Sequence, residues 1–101
     1  MDPLTSLVTA LAAGAAAALQ STVEQVVKDS YAALKGLIQR KYTQVSLDQL
    51  ETNPSSNSRR VVVEEDLKAA GAETDAEVLH KAQELLEAIQ RQAPEAAAIG
   101  V

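Results

Sequence analysis

At 101 residues the chain has room for one hydrophobic core and not for two. It has no cysteine, which excludes disulfides, thiolate metal sites and cysteine nucleophiles, and its formal charge of −5 argues against a nucleic-acid surface, which requires a clustered Lys/Arg excess. Phe and Trp are absent and Tyr31 and Tyr42 are the only aromatics, so the interior falls to Ala, Leu, Val and Ile, a thin core made of residues that let helices form and approach closely.

The first element starts at Asp2-Pro3: Asp can cap free amides, and Pro suits the first helical position, where no donor is needed. Leu4, Leu7, Val8, Leu11, Ala15, Ala18 and Leu19 then recur at helical spacing. No Lys or Arg precedes this apolar run, the wrong flank for a secretory leader, so a cytoplasmic protein is expected. From Pro3 to Val23 there is no charge, a length that would cross a bilayer, but the content of Ala, Thr, Ser, Gln and Gly predicts a buried core helix instead. Within it Ala10, Gly14 and Ala18 form a strip of small side chains that permits close helix packing, inside this bundle or against another helix.

Ser21-Thr22-Val23-Glu24 matches a capping box and predicts a fresh helix start. Val23, Val27, Tyr31, Leu34, Ile38 and Tyr42 make the apolar stripe that follows, widened by Val26 and Leu37. An unbroken rod over the first forty residues would reach about 60 Å, nearly twice what the later helices can cover, so either it breaks near Gln20–Ser21, which is the arrangement expected, or its bare half packs against another copy. Ser46-Leu47-Asp48-Gln49 is a second capping box and predicts one short helical turn ending near Glu51; Asn53-Pro54 then breaks the chain, and Ser55 to Ser58 reads as a mobile loop. Val61-Val62-Val63 has β-propensity but no partner strand, and Glu64 to Ala70 with Gly71 as stop predicts a helix. Thr74-Asp75-Ala76-Glu77 is a third capping box, opening a helix whose apolar face is Val78, Leu79, Ala82, Leu85, Leu86, Ile89 and Ala93, with Pro94 ending it.

Four acid–base pairs one turn apart, Glu24/Lys28, Glu64/Lys68, Glu77/Lys81 and Glu87/Arg91, support the helices. The fold expected is therefore all-α, an up-down bundle of three to four helices over residues 1–93, with 94–101 a C-terminal tail or the start of a linker.

Nothing in the sequence assembles a catalytic set. His80 is the single histidine; Glu84, one turn on, is its one carboxylate neighbour, short of the three or four ligands a metal site requires. Glu64-Glu65-Asp66 sits beside Lys68 with no nucleophile at hand and reads as a solvated face, as do the basic pairs Arg40-Lys41 and Arg59-Arg60 at helix ends. Gly14 and Gly36 are isolated within helical patterns, and Gly71 and Gly100 sit at helix ends, so no phosphate-binding loop is present. The expectation is a chain that is not an enzyme, takes no metal, cofactor, nucleic acid or small-molecule substrate, and works through helix contacts.

The opening Met1-Asp2-Pro3-Leu4-Thr5-Ser6-Leu7, the apolar first helix and the all-helical remainder resemble the N-terminal four-helix domains of signalling proteins, in manner the fungal HeLo domains and their bacterial Bell analogues. Over its full length the chain also looks like the N-terminal segment of a group of uncharacterised bacterial signalling and defence proteins, in which Ala96-Ala97-Ala98-Ile99-Gly100-Val101 leads into a further region, a likeness that brings no activity with it. The resemblance to HeLo and Bell domains implies a domain that is quiet when folded alone and associates with, or permeabilises, membranes when an attached segment clusters it. Residue by residue it carries over only the first helix. The interaction residues expected are Leu4, Leu7, Ala10, Leu11, Gly14 and Ala18, serving self-association or partner helices, with membrane insertion of the same helix on activation as the alternative.

Overall fold

The computed structural model describes residues 3–20 and 23–92. Among them five α-helices and no strand are present: α1 (Pro3–Ala18), α2 (Gln25–Lys41), the single turn α3 (Asp48–Thr52), α4 (Asn57–Ala70) and α5 (Ala76–Gln92), with a 3-10 turn at Ala72–Thr74 before α5. The expected all-α bundle is what forms. The tail 94–101, with Ala93, lies outside the described residues.

The charge-free α1 is the hub. It packs against α5, α2, α4, α3 and the 3-10 turn, whereas α2 packs on α1 and α5, and α4 on α1, α3 and the turn alone. A helix surrounded on most sides needs apolar or small residues nearly all round, and α1 buries Leu4, Leu7, Val8, Ala10, Leu11, Ala12, Gly14 and Ala15. Its small residues let neighbours close in. A Cβ on Gly14 would stand 2.7 Å from Cδ1 of Tyr31 on α2 and 2.8 Å from Cδ2 of Leu85 on α5, so the absence of a side chain there is what allows the three helices to meet.

The expected break between the first two helices is present. Leu19 and Gln20 end α1 with amide bonds back to the carbonyls of Ala16 and Ala17, a tightening typical of a last turn. Ser21 and Thr22 of the first capping box lie outside the described residues; Glu24 is the N-cap of α2, extended and without a side-chain cap bond, its carbonyl receiving the amides of Val27 and Lys28. That extended residue lets Val23, ahead of the helix, join Val27 in the core. The stripe on α2 is narrower than expected, because Val26 turns to solvent while Val27, Tyr31, Leu34, Leu37 and Ile38 are buried.

The segment 55–58, read from sequence as a loop, is in part helix. Ser56 caps α4 by accepting from the Arg59 amide at 3.4 Å, and Asn57 and Ser58 already lie in its first turn. At the other end Gly71, at φ +84°, receives the chain in the left-handed conformation and donates its amide to Leu67 and Lys68 carbonyls, the expected stop. The cap of α5 is Asp75 and not Thr74: Asp75 Oδ1 accepts from the amides of Glu77 at 3.1 Å and Val78 at 3.2 Å, while Thr74 Oγ1 donates to the Gly71 carbonyl.

Candidate functional site

The residues expected to make outside contacts are turned inward. Leu4, Leu7, Ala10, Leu11 and Gly14 are buried and Ala18 is half-buried, all within the bundle's own core. To touch a partner they would first have to leave α2 and α5, exposing the leucines. At 16 residues α1 is about 24 Å long, shorter than the roughly 30 Å of a hydrocarbon core. Among the described residues no helix is long and apolar enough to cross a membrane.

Two polar clusters tie α2 to its neighbours. In the first, Glu51 of α3 receives the Tyr31 hydroxyl at 2.7 Å and the Lys35 ammonium at 2.8 Å. Burial pushes the Glu51 carboxyl up, but the hydrogen bonds from Lys35 and Tyr31, with the Lys35 charge, outweigh it and hold the group below its ordinary value. Burial, then the bond to Glu51, pushes the Tyr31 hydroxyl far above its ordinary value. Because the Tyr31 ring also lies on Gly14, one side chain joins α1, α2 and α3.

The second cluster joins the end of α2 to the start of α5. Asp75 accepts from the Tyr42 hydroxyl and from Lys41 Nζ, and Lys41 also reaches Glu77 at 2.7 Å. The hydrogen bond from Tyr42 is the main cause holding the Asp75 carboxyl low; the Val78 amide and Lys41 add to it, against a smaller upward effect of burial. Bonds to Glu77 and Asp75 raise Lys41, and the bond to Asp75 raises Tyr42. Sequence reading passed over both clusters. Tyr31 and Tyr42 were visible as the sole aromatics, but their acceptors lie 20 and 33 residues away and no local pattern links them.

His80 and Glu84 do meet, at 2.9 Å, on an exposed face where the His side chain is 74% accessible. Among the described residues no three His, Cys, Asp or Glu side chains come together in a way that could hold a metal ion. Of the four helix-supporting pairs, Glu87 and Arg91 lie 3.6 Å apart, whereas Glu77 turns to Lys41. Open depressions are present among the described residues. One of about 340 Å³ is lined by Pro3, Leu4, Glu64, Lys68, Glu73 and Thr74; another, of about 320 Å³, lies beside Val62 among Gln49, Ser58 and Arg59. Apolar side chains do reach solvent: Leu19 is 70%, Val26 50%, Val61 41% and Val62 52% exposed.

No curated protein and no solved structure matches the chain significantly. The family model described as the Het-E N-terminal domain matches residues 1–100, so the chain belongs to the Het-E N-terminal domain family.

Proposed function

We propose that this chain is a non-enzymatic helical interaction domain at the N-terminus of a signalling or defence protein, working by self-association. The observation that carries the reading is how its chemistry is spent. The carboxylates with shifted acidity, Glu51 and Asp75, are engaged by Tyr and Lys donors of α2 and its C-terminal end, and Asp75 also by the amides of the helix it caps, an arrangement that ties elements together and leaves neither poised for proton transfer. Membership of a family of N-terminal helical domains supports the same reading. The likeness to HeLo and Bell domains extends it to a module that is quiet alone and acts when the rest of its protein brings copies together.

Sedimentation equilibrium of the isolated chain from micromolar to millimolar concentration tests this. Reversible association is the expected result, and a strict monomer across the range would overturn it.

A further inference from the structure

A second strip, apart from the one on α1, lies on α2. On α2, Val26, Asp29, Ala33, Gly36 and Arg40 follow one another at alternating steps of three and four residues, the spacing of a seam between two helices. They form the outer edge of the helix, opposite Val27, Tyr31, Leu34 and Ile38. Val26 is half exposed, Asp29, Ala33 and Arg40 are exposed, and Gly36 is partly so.

Gly36 makes the strip unusual. Glycine in a helix interior costs about 1 kcal/mol relative to Ala, and a Cβ added here would meet nothing within 4 Å. No contact among the described residues accounts for it, in contrast to Gly14. A bare backbone at this point leaves room for close approach by something from outside.

The charges say what arrives. Asp29 lies near one end of the strip and Arg40 at the other, with Ala33 and Gly36 placed symmetrically between them. Among the described residues neither charge enters an ion pair: Asp29 accepts from the Gln25 amide and Arg40 donates to the Gly36 carbonyl at 3.4 Å. When two copies of this strip are laid antiparallel about a two-fold axis, Asp29 of each falls opposite Arg40 of the other, and Ala33 falls opposite Gly36, where the backbones can come close. A parallel pairing sets Asp29 on Asp29 and Arg40 on Arg40. The pattern is complementary to itself in one direction only.

We infer that the outer face of α2, from Val26 to Arg40, docks on the same face of a second copy of this chain in antiparallel register, through two Asp29–Arg40 ion pairs and a close Ala33–Gly36 crossing. The inference rests on the self-association proposed above and names its surface. It leaves α1 in the core.

The test is a charge-exchange series by sedimentation equilibrium, with circular-dichroism melts confirming that each variant is folded. Asp29→Arg sets Arg against Arg40 twice in the homodimer, and Arg40→Asp sets Asp against Asp29 twice, so each variant alone is expected to associate roughly tenfold more weakly or worse. An equimolar mixture restores both pairs across a heterodimer, and association returns. The double variant D29R/R40D also restores them and associates like the natural chain. Association of the natural chain that both single variants retain would overturn this surface while leaving the proposed function standing, and would direct attention to Val61 and Val62 of α4. A natural chain that stays monomeric overturns both.

Discussion

Helices α1 and α2 are almost equal in length and each carries one glycine in its interior, yet the two glycines have opposite surroundings. Gly14 is pressed between Tyr31 and Leu85 with no room for a methyl group, while Gly36 faces open space. Small residues spaced along a helix therefore do not by themselves say what comes close to them. Charge supplies the missing information. The strip through Gly14 lies in a helix without an ionisable side chain and is covered by its own bundle; the strip through Gly36 is bounded by Asp29 and Arg40, and charges of that kind are kept at the surface.

The sharpest way to break this comparison is to place the same side chain at both glycines. Gly14→Leu would force a branched chain into the Tyr31 ring, which cannot yield as a flexible chain end would, and a loss of about 3 kcal/mol is expected, the upper end of overpacking costs. Gly36→Leu meets nothing in its own bundle and gains helix propensity, so its urea midpoint is expected to stay level or rise. Equal destabilisation of the two variants in urea melts would mean that the surroundings of the two glycines do not differ as described.

A smaller effect probes what holds Tyr31 over Gly14. Tyr31→Phe keeps the ring and removes the hydroxyl bond to Glu51, for an expected loss of about 1 kcal/mol by chemical denaturation. The same bond gives an alkaline limit. Tyr31 and Tyr42 ionise above their ordinary value of 10.0 in the folded chain, so the stability they contribute is complete below that pH and is lost as pH rises beyond it. The alkaline fall of the melting temperature is expected to be shallower in Tyr31→Phe, and an unchanged fall would remove Tyr31 from the account. On the acid side the sign reverses. Glu51 and Asp75 ionise below their ordinary values of 4.5 and 3.8, so their contribution is present above that range and lost as pH falls through it. Asp75→Asn is expected to flatten the acid limb, since an amide does not titrate.

The helices were legible in the sequence because periodicity, stop residues and turn formers agreed, as at Gly71 and across Val78 to Leu86. Their starts were less so. Each of the three capping boxes marked the right neighbourhood, but α2 starts after Glu24, α3 after Leu47 and α5 after Asp75, with Val23, Leu47 and Ala72 buried at or just ahead of those starts. A four-residue motif does not by itself fix the first residue of a helix. The direction of Val26 was lost for a related reason: next to Val27 it looks like a widening of one stripe, and only the placement of α1 and α5 decides which valine is covered. The ties from Tyr31 to Glu51 and from Tyr42 to Asp75 join residues far apart in the chain, and a single sequence holds no record of such pairs.

The smallest expected effect has the opposite sign and sharpens the comparison most. Gly36→Ala removes backbone freedom from the unfolded chain and fills no occupied space, so it should stabilise the isolated domain by somewhat less than about 1 kcal/mol, a rise of a few degrees in melting temperature at low protein concentration. If close approach to a second copy is what the glycine serves, the added methyl lies in the crossing against Ala33, and association measured on the same preparation should weaken as the monomer gains. A variant at once more stable and less associated would show stability given up at one position for contact with another molecule. A gain in both would mean that the helix tolerates Gly36 without using it.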